Sequence, residues 1–450
     1  AYESAGRLDE AIPLFEQTLA DSLRVLGPDH PDTLASRNNL AHAYRSAGRL
    51  DQAIDLYEQN LTDRLRVLGP DHPDTLASRG NLAYVYWSAD RFDEAIPLFK
   101  QTLADSLRVL GADHPDTLAS RNNLAYAYRS AGRLGQAIDL FEQTLADRER
   151  ILGPDHPDTL TSRGNLANVY ESAGRLGQAI PLYERTLADR ERILGADHPD
   201  TLTSRGNLAN VYESAGRLEQ AIPLYERTLA DRLRVLGPDH PDTLTSRNNL
   251  AYVYWSAGRF DEAIPLFEQT LADSLRVLGP DNPDTLASRH NLASAYCSAG
   301  RFDEAIPLFE QTLADSLRVL GPDNPDTLAS RHNLASAYCS AGRFDEAIPL
   351  FEQTLADSLR VLGPDNPDTL ASRHNLASAY CSAGRLDKAI PLFEQNLTEA
   401  LRVLGPDHPN TRIFSDNLVD AYRTVGRDED AAALLDPPSD PDDTDAEALA

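Results

Sequence analysis

Residues Gly27–Leu68 read GPDHPDTLASRNNLAHAYRSAGRLDQAIDLYEQNLTDRLRVL, and this stretch recurs to the end of the chain every 42 residues without insertion or deletion. Gly27, Gly69, Gly111, Gly153, Gly195, Gly237, Gly279, Gly321, Gly363 and Gly405 mark the joints. A fixed period in this range signals a solenoid, in which each unit buries its apolar face only against its neighbours.

Each unit reads as two helices. His30-Pro31-Asp32 starts the first. The residue before a proline is pushed into the extended conformation that an N-cap needs, and Pro31 suits the first helical position because the N–H it lacks would be unpaired there. Asp32 adds negative charge at the positive end of the helix dipole. Leu34, Leu40, Ala41, Tyr44 and Ala47 share one arc, which predicts an amphipathic helix over 31–46. Gly48 ends it in the left-handed conformation that glycine adopts cheaply. A second helix follows over 50–68, with Ala53, Ile54, Tyr57, Leu61, Leu65 and Leu68 as its apolar face, closed by Gly69 and Pro70. Eight of ten second helices carry an early proline (Pro13, Pro97, Pro181, Pro223, Pro265, Pro307, Pro349, Pro391), whereas Asp55 and Asp139 stand in the other two. Interior proline forfeits a backbone bond and costs ~3 kcal/mol. These helices should therefore start late, near the position of Asp51, or kink.

The unit resembles the tetratricopeptide repeat, whose pattern W-x2-L-G-x2-Y…A-x3-F is met here by Arg37, Leu40, Ala41, Tyr44, Ala53 and Tyr57. Arginine replaces the usual tryptophan, and the period is 42 rather than 34. The longer period, the L-G-x-D-H-P junction and the N-N-L-A core are similar to the kinesin-light-chain subtype. The resemblance implies an all-α, right-handed superhelix of helix-turn-helix units over residues 1–435, with the first repeat truncated and the last divergent. Its implied work is binding protein or peptide, not catalysis.

Forty-two basic against seventy acidic side chains leave a net charge of -28, which argues against nucleic acid or an anionic membrane as partner. No apolar run approaches the ~20 residues of a membrane span, and no signal peptide is visible. Lysine occurs only at Lys100 and Lys388, which reads as GC-rich, bacterial coding. Residues 259–300, 301–342 and 343–384 are identical, so Cys297, Cys339 and Cys381 are one cysteine copied twice; they read as reduced thiols of a cytoplasmic protein rather than a disulfide framework. Ala1–Ala5 align with the end of a first helix and the chain has no methionine, which reads as a fragment with repeats or another domain upstream. From Asp436 the sequence DPPSDPDDTDAEALA predicts a disordered acidic tail over 436–450.

No P-loop, dinucleotide fingerprint, H-E-x-x-H, C-x-x-C or G-x-S-x-G motif is present, so neither a cofactor nor a catalytic residue is expected. His30, His72, His114, His156, His198, His240 and His408 occupy the cap before proline, where Asn282, Asn324 and Asn366 also serve. His290, His332 and His374 read as copied surface residues, since one histidine and one cysteine per unit make no tetrahedral metal site.

On the first helix, Asn39 recurs as Asn81, Asn123, Asn165, Asn207, Asn249, Asn291, Asn333, Asn375 and Asn417, although mid-helix asparagine costs ~0.6 kcal/mol relative to alanine. Stacked every ~10 Å, these amides would form a ladder of donors and acceptors. The resemblance implies that they grip the backbone of an extended peptide; the alternative is bonding between adjacent units. Beside them runs a variable stripe at the positions of residues 38, 42 and 45, which share one face. Tyr84, Trp87, Tyr126 and Arg129 are read as one anchor cluster and Tyr252 with Trp255 as a second, because exposed aromatics anchor ligands; the alternative is gap-filling between units. Arg37 and its eight copies fall on the buried arc, where a bare charge is costly, so each should pair with an acid of the facing helix, Glu58 or Asp63 in the first unit. The reading is a non-catalytic scaffold holding a peptide in its groove. An alternative is the sensor region of a larger signalling ATPase whose catalytic part lies upstream.

Overall fold

A computed structural model describes residues 8–435. The chain divides into two compact units, Ala1–Leu224 and Tyr225–Ala450. The first holds α1 (Leu8–Leu26), α2 (Pro31–Ser46), α3 (Leu50–Leu68), α4 (Pro73–Ser88), α5 (Phe92–Val109), α6 (Pro115–Ser130), α7 (Leu134–Leu152), α8 (Pro157–Ser172), α9 (Leu176–Leu194) and α10 (Pro199–Ser214). The division falls within α11 (Leu218–Leu236). The second unit continues with α12 (Pro241–Ser256), α13 (Phe260–Val277), α14 (Pro283–Ser298), α15 (Phe302–Val319), α16 (Pro325–Ser340), α17 (Phe344–Val361), α18 (Pro367–Ser382), α19 (Leu386–Val403), α20 (Pro409–Thr424) and α21 (Asp428–Leu435). Even-numbered helices are the first of each repeat (A) and odd-numbered ones the second (B). The described residues form an all-α solenoid of tandem helix pairs. The partial repeat read at Ala1–Ala5 and the acidic stretch 436–450 lie outside the described residues.

Local chemistry places the helix ends where the sequence predicts them. His30 is extended (φ -71°, ψ 137°), and its Nδ1 accepts the Asp32 N–H at 3.2 Å. Asn282 caps α14 in the same way through Oδ1 at 2.8 Å. Gly48 takes φ +72°, which lets the Arg49 N–H return to the Tyr44 carbonyl at 2.9 Å. One repeat puts Asp90 at this place, with φ +56°. The prolines do not shift the helix start: α5, with Pro97, begins at Phe92, the position equivalent to Leu50 of α3, which has Asp55. Pro97 therefore sits inside the helix. It and Asp93 are both exposed, so the Asp93 carbonyl that loses its donor lies on the solvent side.

Alanines let the helices approach closely. Ala41 and Ala53 are fully buried beneath Leu34 and Tyr57. Arg37 takes Asp63 as its partner, Nη1 to Oδ2 at 2.6 Å. The arrangement repeats as Arg79–Asp105, Arg121–Asp147, Arg163–Asp189, Arg247–Asp273, Arg289–Asp315, Arg331–Asp357 and Arg373–Glu399. Glu58, the other candidate, instead accepts the Tyr86 phenol of the next repeat. Burial opposes ionisation of Asp63, but hydrogen bonds from Arg66 and Arg37 hold its carboxyl below the usual range.

Candidate functional site

The A helices carry both the asparagine ladder and the variable stripe. Asn39 and Asn123 are exposed; Asn81, Asn165, Asn207, Asn249 and Asn291 are half-buried. The ladder is not uniform. Asn81 donates through Nδ2 to Asn38 Oδ1 at 3.0 Å, Asn165 to Asn122 at 3.4 Å, and Asn291 to Asn248 at 3.0 Å. Asn333 and Asn417 meet ring nitrogens of His290 and His374 at 3.5 and 3.1 Å. These amides bond between adjacent repeats. Asn123 and Asn207 follow Gly80 and Gly164, which have no side chain to accept.

Tyr84 and Trp87 lie together on α4, with ring centroids 5.1 Å apart, and the Arg45 guanidinium of α2 covers Tyr84 at 4.6 Å. The Trp87 indole N–H donates to Ser130 Oγ of α6 at 3.0 Å. Tyr126 and Arg129 form a separate pair on α6. Tyr126 packs edge-on against Phe141 at 5.3 Å, Arg129 stacks over it at 5.4 Å, and Arg129 also donates to Asn168. Burial pushes the Tyr126 phenol pKa up. Tyr84 is thus a presented aromatic, while Tyr126 largely fills the space against α7. Tyr252 and Trp255 repeat the first pair at 5.2 Å, and Tyr252 is 47% exposed. The Trp255 indole N–H, unlike that of Trp87, is buried without an acceptor.

His290, His332 and His374 are not surface residues. Each ring packs on an aromatic of its own repeat, Phe309, Phe351 or Phe393, with centroids 5.4–5.5 Å apart. An imidazole has an apolar enough body to fill this space, and the identical copies reproduce the contact. Burial lowers all three pKa values, that of His374 to about 4. Burial likewise raises the half-buried thiols of Cys297, Cys339 and Cys381. Among the described residues, no group of three or more His, Cys, Asp or Glu is arranged to hold a metal, and no helix is long and apolar enough to cross a membrane.

Clefts open between consecutive A helices over the intervening B helix. The cleft between α4 and α6 has a volume of about 380 Å³ and is lined by Arg45, Gly80, Asn81, Tyr84, Ser106 and Asn123, among others. Three equivalents, of about 240, 340 and 360 Å³, follow one another between α12 and α18. Their B helices present Ser274, Ser316 and Ser358, matching Ser106 of α5. Four other B helices carry arginine at this position. Arg64 Nη1 donates to the Asp74 carbonyl at 2.7 Å, and Arg148 to the Asp158 carbonyl at 3.0 Å and Ser162 Oγ at 2.8 Å. Arg190 and Arg232 repeat the pair of bonds on Asp200 with Ser204 and on Asp242 with Ser246. Each guanidinium ties its B helix to the start of the next A helix, where the shorter serine only brings its hydroxyl 3.3–3.4 Å from the next A helix's serine. The sequence reading missed this position because it lies on the B helix, opposite the stripe. The signal available was its alternation between serine and arginine from repeat to repeat.

The tetratricopeptide repeat pattern matches the chain in ten overlapping spans, from residues 1–62 to 368–436. No curated protein matches it. Among solved structures, the chain is similar to nearly identical TPR-like repeats from a Podosopora anserina protein named as a kinesin light chain, with 37% identity over 46% of this chain and 97% of that one and a TM-score of 0.43. It is similar to BtubC (BKLC) from P. vanneervenii at 22% identity over 51% of this chain and 92% of that one, with a TM-score of 0.45. The apo form of the quorum sensor NprR from B. thuringiensis matches 82% of this chain and 99% of its own at 14% identity, with a TM-score of 0.50. With helix pairs, caps and matched spans in agreement, the chain belongs to the tetratricopeptide repeat family, whose members are in general non-catalytic scaffolds for protein interaction.

Proposed function

We propose that the array over residues 1–435 holds an extended peptide against its A helices. The observation that carries this reading is the Arg45–Tyr84–Trp87 cluster beside the cleft that ends at Asn123. Tyr84 is 39% exposed although it stacks on two neighbours, and a rigid aromatic held this way loses little entropy when a ligand covers it. Asn123 offers an amide that can donate to and accept from a peptide backbone.

The test is to select binders from a displayed random-peptide library and measure their affinity for a Tyr84→Ala, Trp87→Ala, Asn123→Ala triple variant. Binding should weaken at least ten-fold while helical circular dichroism stays unchanged. Undiminished binding, or loss of helicity, would sink the groove assignment.

A further inference from the structure

We infer that the serine or arginine at this position of the B helices α1 to α17 decides which repeats admit a ligand side chain, and that the three serine clefts between α12 and α18 take an extended peptide with arginine at every third position. This rests on the groove reading above and names its ligand.

The filled repeats show what the open ones can hold. Where the chain supplies its own guanidinium, as Arg148 and Arg190 do, it reaches the next A helix and donates to an aspartate carbonyl and a serine hydroxyl. The same acceptors stand in the open repeats: the carbonyls of Asp284, Asp326 and Asp368, and the hydroxyls of Ser288, Ser330 and Ser372. Without an arginine, each serine donates to that carbonyl at 2.8 Å and stands 3.3–3.4 Å from the B-helix serine. A ligand guanidinium would take over that bond and gain the hydroxyl as a second acceptor.

Charge selects the same ligand. No lysine or arginine lines these three clefts. Asp284, Asp326 and Asp368 stand at their rims, and no ion pair joins any of them to a described side chain. Their carboxylates therefore remain available to a guanidinium, which offers five donors in a planar fork.

Spacing selects the backbone conformation. Packed helices lie about 8–10 Å apart, so consecutive clefts recur at about that interval. A polyproline II chain rises about 3.1 Å per residue with three residues per turn, which returns a side chain to the same face every ~9.3 Å. A β-strand returns one every ~6.6 Å and would miss alternate clefts.

The test uses fluorescence anisotropy with the full chain and dye-labelled (Pro-Pro-Arg)4, set against the composition-matched (Pro-Pro-Pro-Pro-Arg-Arg)2. The first should bind at least ten-fold more tightly. Ser316→Arg should weaken it at least ten-fold with helicity unchanged, because arginine is a native occupant of this position in other repeats. Ser316→Leu fills the cleft without adding charge and should weaken binding similarly, which separates plugging from repulsion. Equal binding of the two peptides, or indifference to both substitutions, overturns the inference. If library-selected peptides bind through Tyr84 and Trp87 while (Pro-Pro-Arg)4 shows no preference, the groove reading stands and this one falls.

Discussion

Residues 134–214 and 259–384 follow one repeat plan and differ, among other positions, where the B helix carries arginine in one and serine in the other. Both stretches use the same glycine joints and the same buried arginine–aspartate pair, with His156 and His198 capping in the first and Asn282, Asn324 and Asn366 in the second. In the first, Arg148 and Arg190 reach from the B helix to the next A helix; in the second, Ser274, Ser316 and Ser358 line clefts of about 240–360 Å³. A repeat can therefore keep its core and change its groove, because the residues that stack the helices are not those that fill the space between them. Stability and recognition lie on different side chains of one 42-residue unit.

The buried ion pair is common to both stretches, so losing it should harm them alike. Arg163 is fully buried, 2.6 Å from Asp189 and 3.3 Å from Glu149. Arg163→Ala removes a buried cation from two partly exposed carboxylates and should destabilise by about 1.5–3 kcal/mol in urea unfolding. Arg331→Ala should do the same through Asp357. A large loss in only one stretch would mean that the two differ more deeply than at the cleft.

Arg148→Ser converts a filled repeat to the open type. It removes charged bonds to the Asp158 carbonyl and Ser162, and should cost about 1–3 kcal/mol. A crystal structure of the variant should show a cleft like those of residues 241–375. Collapse of the helices into that space would break the comparison.

Acid should separate the stretches further. His290, His332 and His374 occur only in the open stretch, and burial holds each pKa below its unfolded value near 6.5. Below that value the unfolded chain binds more protons than the folded one. The stabilisation is thus complete above about pH 6.5 and declines as the pH falls, for His374 down to about 4. A triple His→Asn variant, using the residue native at Asn122 and Asn248, should lose less melting temperature between pH 7 and 4 than the parent. Equal slopes would remove histidine from the account.

The smallest effect concerns the turn between α4 and α5. Asp90 holds φ +56°, where its counterparts are glycine. Asp90→Gly should stabilise by about 0.5–1 kcal/mol, since a side chain in the left-handed region is strained. A loss on thermal melting would show that the aspartate side chain contributes more than its strain.

Much of this was legible beforehand. Pro31 after His30, and Gly48 after the apolar arc, act on backbone groups one to five residues away, so the helix limits followed from local chemistry. The presence of Tyr84, Trp87, Tyr252 and Trp255 on one stripe was legible for the same reason. Their roles were not: Trp87 finds Ser130 forty-three residues on, whereas Trp255 finds no acceptor. The asparagine ladder also divided according to whether the preceding repeat offered Asn38, Asn122 or Asn248, or only a glycine.

The sequence by itself determined the repeat, the helix pair, the capping residues and the arc that each helix buries, because these depend on neighbours within one or two turns. Tertiary structure decided that Arg37 takes Asp63 while Glu58 takes Tyr86, that histidines lie under phenylalanines, and which clefts stay open. Those partners are 26, 28 and 19 residues apart, distances that no helical periodicity encodes and that only the packing of one helix against another brings within reach.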